Sequence, residues 1–152
     1  MRRDLMRLLK WINWWYPPFI GMNIRVVYIA PDFSTIRVQS KLSRRNLNAV
    51  GTHFGGTLYA MCDPFFMLIL MHALGDAYIV WDKAAHIQFL RPGRGTVTAT
   101  FHVPPEKVDE LRAAADRGEK IEPTFTVDVV DEQNETVARV EKLLYVRRKN
   151  PK

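Results

Sequence analysis

THFGGTLYAMCDPF, residues 52–65, is the stretch that decides how this chain is read. Two glycines open an apolar run, an aspartate and a proline interrupt it, and FMLILMHAL resumes it up to Gly75. Residues 57–74 are apolar nearly all round, so as a helix they must be covered on nearly all sides. The run is slightly short of the roughly 20 residues that a membrane span needs. It also carries Asp63, at a cost of about 2.5–3.5 kcal/mol on insertion scales. A helix buried by its own protein is the better reading, with Gly75 as its C-terminal cap. Asp63-Pro64 offers an alternative: an aspartate N-cap with proline at the first helical position, which leaves the glycines in a loop.

Around that helix the periodicity is mostly two. GMNIRVVYIAP reads as a strand. FSTIRVQSKL alternates cleanly, with Ile36, Val38 and Leu42 on one face and Thr35, Arg37, Gln39 and Lys41 on the other. SRRNLNAVGTHF is a polar loop ahead of the helix. Residues 78–91 predict a third strand, stopped by Pro92-Gly93, and GTVTATFHV turns Val97, Ala99, Phe101 and Val103 inward. EKVDELRAAADRG is a short helix within a 104–119 insert, with Val108, Leu111 and Ala115 on one side. TFTVDVV and TVARVEKLLYV flank DEQNE as a hairpin. Strands in runs around one central helix argue for an α+β domain with an antiparallel sheet, here a single domain over residues 1–152.

The totals exclude several classes. With 47% hydrophobic and 25% charged residues the chain is of globular composition rather than disordered. One cysteine, Cys62, rules out an internal disulfide and a cysteine-based zinc site, and fits a cytoplasmic setting. A net charge of +6 invites a nucleic-acid reading. The basic residues are scattered, however, and no nucleic-acid motif accompanies them; Arg44-Arg45 and Arg147-Arg148-Lys149 read as solvated ends or loops. Residues 1–16 form an amphipathic helix with Leu5, Leu8, Leu9, Ile12 and Trp15 on one face, stopped by Pro17-Pro18. That stripe docks on its own domain; contact with a membrane surface is the secondary reading.

Asn48, Gly51, Gly55, Gly56 and Asp63, in NAVGTHFGGTLYAMCD, together with IQFLRPGRGTVTATF, resemble the hotdog proteins. In these a curved antiparallel sheet wraps a long helix. The likeness is to the phenylacetyl-CoA-type acyl-CoA thioesterases and their uncharacterised relatives, over roughly residues 20–148. The resemblance implies a homodimer or dimer of dimers, a thioester substrate carrying coenzyme A, and no metal or further cofactor. One departure matters. Those thioesterases commonly carry His-Gly-Gly, whereas here Phe54 precedes the glycines and His53 stands one residue early.

The residues themselves support the chemistry. Gly55 and Gly56 at a helix start offer unpaired N–H groups with no side chain in the way, suited to a carbonyl gaining negative charge. Asp63 serves as general base or as nucleophile, its proton affinity raised by partial burial among Tyr59, Phe66 and Met67. Asn48 positions the water or the carbonyl, or else bonds its own loop. Asp63 lies seven residues past Gly56, roughly 10 Å along a helix axis. Glycine amides of one subunit therefore meet the carboxylate of the other across a two-fold axis. His53, Phe54 and Tyr59 are candidates for contact with the acyl group, and Lys83, Arg91 and Arg94 for contact with phosphates. His72, His86 and His102 show no metal-ligand spacing, and Ser43 lacks a nucleophile-elbow context. The rival reading is a non-catalytic acyl-CoA or lipid-binding hotdog protein.

Overall fold

The computed structural model describes residue 9 and residues 11–149. Strict alternation builds the centre of the sheet. In β2 (Thr35–Lys41) Ile36, Val38 and Ser40 are buried, and in β4 (Thr96–His102) Val97, Ala99 and Phe101. The two strands run antiparallel with Val38 opposite Ala99, so both sets fall on one face. β1 (Ile24–Ile29) flanks β2. On the other side β5 (Thr124–Val130) and β6 (Thr136–Arg148) form the expected hairpin, and β3 (Tyr78–Phe89) pairs along β6. The order is β1-β2-β4-β5-β6-β3, antiparallel throughout, with β3 and β1 at the edges.

The apolar helix lies on the buried face in two pieces, α2 (Gly55–Ala60) and α3 (Phe65–Leu74). The expected single helix breaks at residues 61–64 because Pro64 has no N–H to continue the ladder. The turn tightens instead: Cys62 N–H donates to the Tyr59 carbonyl at 2.8 Å and Asp63 N–H to the Ala60 carbonyl at 3.4 Å. Pro64 occupies the N-cap position of α3, and no side chain caps it. Asp63 is therefore not an N-cap, and the glycines do open a helix. Phe65 and Phe66 fix α3 on the sheet, their rings 4.9 and 5.2 Å from Phe101. α4 (Pro105–Asp116) packs by Val108, Leu111 and Ala115, as its pattern predicts. Its Arg112 guanidinium donates to the Ala73 and Leu74 carbonyls at 2.8 and 3.3 Å, satisfying the negative end of α3.

Three further expectations are corrected. The third strand ends at Phe89 rather than at 91, because Leu90 and Arg91 both turn their N–H groups onto the Val137 carbonyl. Pro17-Pro18 does not simply stop a helix. The helical residues 11–15 give way at Tyr16, and the prolines begin a new short helix, α1 (Pro17–Gly21), where their missing N–H groups cost nothing. Within the N-terminal stripe Leu9 is buried and Ile12 packs on the core, but Trp15 is 62% exposed. Leu5 and Leu8 of that stripe lie outside the described residues, as does most of the proposed 1–16 helix.

Candidate functional site

The glycine end is built by the loop ahead of it. Asn46, almost fully buried, donates to the Met22 carbonyl at 2.8 Å and accepts from Ser43 N–H at 2.7 Å. Asn48 spends its amide on its own loop: Nδ2 donates to Thr52 Oγ1 at 2.9 Å and to the His53 carbonyl at 3.2 Å, and Oδ1 accepts from Thr52 N–H at 3.0 Å. His53 ties this loop to the 92–95 turn. Its N–H donates to the Gly93 carbonyl at 2.9 Å and its ring Nε2 to the Gly95 carbonyl at 3.1 Å. A carbonyl only accepts, so Nε2 carries the proton. Burial holds His53 below the usual histidine range, in part offset by the bond to Gly95, so the ring is neutral near pH 7.

Asn48, His53 and Gly55 line a cleft of about 650 Å³ together with Phe89, Arg91 and Arg94. Among the described residues no acceptor takes the N–H of Gly55 or Gly56. Phe54, half exposed, lies over Gly56: a Cβ there would sit 2.3 Å from the Phe54 ring. A side chain at this position would have to displace the phenyl ring that stands where the thioesterase pattern has histidine. Arg91 pairs with Glu135 at the cleft mouth. Lys83 is not part of this cleft. It sits at the β3 bulge in an exposed pair with Glu122, which a contiguous strand reading could not anticipate.

The aspartate end is held by charge. Asp63 stands at the helix break with its side chain half exposed. Its Oδ1 accepts from Tyr59 Oη–H at 2.9 Å and from Lys142 Nζ at 3.0 Å. Oδ2 has no partner among the described residues. Tyr59 is thereby a partner of the carboxylate and does not line the cleft. Lys142 is fully buried, its Nζ 3.3 Å from Asp82 Oδ1 and 5.3 Å from the centroid of the Tyr59 ring. Burial pushes the Asp82 carboxyl above the usual range, against the pull of Lys142. Burial also pushes up the Cys62 thiol, which stays protonated and inert.

Lys142 is the member of this cluster that reading by motif misses, yet a signal exists. In β6 the inward phase runs Val140, Lys142, Leu144, Val146, so the lysine interrupts an otherwise apolar face at period two. A cation at such a position needs carboxylates opposite it. Asp82 on the adjacent strand and Asp63 on the overlying helix supply them.

The sequence profile of a family described as a domain of unknown function, DUF4442, matches residues 6–146. No curated protein matches the chain. Solved structures do. A protein of unknown function from Pseudomonas aeruginosa, described as a probable thioesterase, shares 20% identity at a TM-score of 0.83, covering 95% of this chain and 96% of that one. A thioesterase from Haemophilus influenzae shares 16% identity at a TM-score of 0.67, with 95% and 90% covered. The E. coli PaaI protein, from the phenylacetic acid degradation operon, shares 19% identity at a TM-score of 0.64, with 97% and 95% covered. At these identities the likeness is one of fold: a six-stranded antiparallel sheet wrapped on a central helix, the hotdog fold.

Proposed function

We propose, for a chain that belongs to the DUF4442 family and carries the hotdog fold, that it hydrolyses acyl-CoA thioesters at a site shared by two protomers. The observation that carries this reading is the state of Asp63. It is neither a helix cap nor a buried core acid, but a half-exposed carboxylate with Oδ1 fixed by Lys142 and Tyr59 and Oδ2 unengaged.

Within one protomer the carboxylate does not line the cleft to which the Gly55 end belongs. A two-fold axis that sets the interrupted helices antiparallel brings Asp63 of one copy to the Gly55–Gly56 amides of the other. The free edge of β3, twelve residues long with Trp81 and Phe89 exposed, offers a surface for such a contact. Water then adds to the thioester carbonyl carbon while its proton passes to Asp63. The carbonyl oxygen gains the negative charge and is met by the glycine amides. On collapse the C–S bond breaks and the departing thiolate takes the proton back. Each amide donor contributes about 2.7–4 kcal/mol in comparable acyl-transfer sites. Asn48 shapes the loop that holds the glycines, and Arg94 with Arg91 gives the cleft mouth a charge suited to phosphates. No cofactor is needed beyond the coenzyme A that the substrate carries.

Thiol release from short, aryl and long-chain acyl-CoAs tests this reading. Asp63→Asn lowers turnover about 10²–10⁴-fold with little change in KM. Hydrolysis that survives the substitution removes Asp63 from the mechanism. Mixing Asp63→Asn with Gly56→Ala restores turnover, because each mixed dimer contains one site with both native halves. No recovery would mean that the two halves act within one protomer.

The second reading, an acyl-CoA or lipid binder without turnover, rests on the Phe54 ring lying against Gly56. Saturable binding of an acyl-CoA by the wild-type protein, with no thiol released, would establish it.

A further inference from the structure

Three of the four tryptophans fall within five residues: Trp11, Trp14 and Trp15. Residues 11–15 are helical, and the spacing 11, 14, 15 places the three on one face. The opposite face is fixed. Leu9 is fully buried, Ile12 packs against the core, and Asn13 is bonded to the backbone of β1. Its Oδ1 accepts from Val26 N–H at 2.8 Å and its Nδ2 donates to the Val26 carbonyl at 2.9 Å. That pair of bonds sets the rotation of the segment, so the tryptophans stand 62%, 72% and 62% exposed. Tyr16 and Ile20 continue the patch. Among the described residues of the segment, Leu9, Ile12 and Asn13 dock it on the domain, and the indoles face away.

We infer that this indole face docks on an anionic lipid surface. Tryptophan has an apolar body and a polar N–H edge, the combination that settles at the headgroup level of a bilayer. Charge points the same way. Residues 1–31 carry five cations, Arg2, Arg3, Arg7, Lys10 and Arg25, against the single carboxylate of Asp4. Anionic headgroups attract such a segment. A second copy of this chain fits less well, because a symmetric contact would set a segment of net positive charge against itself. A single nucleic-acid strand would use indoles and cations too, but it takes them along a charged groove. Here the exposed indoles adjoin Tyr16 and the aliphatic Ile20.

The full-length protein is sedimented with vesicles of pure phosphatidylcholine and with vesicles containing about one third phosphatidylserine. The protein should co-sediment with the anionic vesicles and less with the neutral ones, with a blue shift of tryptophan emission and release by salt. Trp11→Ala/Trp14→Ala/Trp15→Ala should lower partitioning at least tenfold. Trp14→Ser alone, at the most exposed position, should lower it several-fold with the thermal transition unchanged, which covers the case of a poorly folded triple variant. Three results would overturn the inference: no sedimentation with either vesicle, partitioning that both variants retain, or a wild-type protein that binds a single-stranded oligonucleotide and no vesicle. Loss of dimer mass in the variants without vesicle binding by the wild type would assign the face to a second copy instead. None of these readouts depends on thioester hydrolysis.

Discussion

The two ends of the interrupted helix are held by different physics. At the glycine end neutral hydrogen bonds do the holding. Asn46 and His53 lace the 43–54 loop to the sheet and to the 92–95 turn, Asn48 closes the loop on itself, and the helix then begins with bare amides. At the aspartate end, some two turns on, a buried ammonium sits between two carboxylates and a phenol. The first leaves two N–H donors without an acceptor among the described residues, and the second leaves one carboxylate oxygen without a partner there. Residues 57–60 of α2 separate the glycine turn from the break at 61–64, so each end is organised by its own neighbours.

The largest effect that separates the ends is on stability. Lys142→Met leaves Asp82, mostly buried, without its cation. It should cost about 3 kcal/mol by urea denaturation, toward the lower end for broken buried pairs because Asp63 is half exposed. Asp63→Asn should cost only about 1 kcal/mol, since Lys142 keeps Asp82 and the amide oxygen still accepts. If Lys142→Met unfolds at the wild-type urea midpoint, the charge cluster contributes no net stability and the contrast between the ends collapses.

At the glycine end the expected change is smaller and steric. Gly56→Ala places a methyl 2.3 Å from the Phe54 ring. That ring is half exposed and can swing away, so the cost should be about 1 kcal/mol. Phe54→Ala in the same chain should recover most of it, a coupling of about 1 kcal/mol in a double-mutant cycle. Additive losses would show that the alanine strains the turn and not the ring.

The same division explains what could be read from sequence. The glycine end is local. Its loop, its turn residues and its two glycines are contiguous, and their hydrogen bonds mostly span a few residues, so the pattern of Asn, Gly and Thr carries the structure. The strands β2 and β4 and the helix α4 were equally legible, because each buries one clean face. The aspartate end is non-local. Lys142 lies 79 residues from Asp63, and nothing around either residue names the other. Asp63-Pro64 also offered two local solutions, a kinked helix and, as the alternative, a cap. The choice was made by the β6 lysine, which gives Asp63 a better partner than the amides of α3. The β3 bulge at Asp82 and Ala84 is likewise a product of pairing with β6, and it is what sends Lys83 to Glu122 rather than toward the cleft. The outward turn of Trp15 depended on the Asn13 bonds to β1, a contact between elements that periodicity cannot see.

The smallest expected effect is on the pH dependence of stability, and there the two ends should move in opposite directions. Burial alone would lower the pKa of Lys142, but the bond to Asp63 and the charges of Asp82 and Asp63 outweigh it, and the net shift is upward from 10.5. Its stabilising contribution is full below the unfolded lysine value of about 10.4 and is lost as pH rises through the higher folded value. Asp82 has the opposite sense for an acid: burial raises its folded pKa, so its ionisation weakens the fold, and acidification relieves that cost. Lys142→Met should therefore abolish the alkaline loss and, with the offsetting cation gone, gain more stability than wild type as pH falls from neutral toward about 4. His53 is buried neutral and its folded pKa is lowered, so its contribution is present above the unfolded value of about 6.5 and is lost as pH falls below it. His53→Gln should flatten that acid step and leave the alkaline one intact. Urea midpoints measured from about pH 5 to pH 11 for the three proteins separate the two ends. An acid step that survives His53→Gln, or an alkaline step that survives Lys142→Met, would mean that the residue substituted does not govern the step assigned to it.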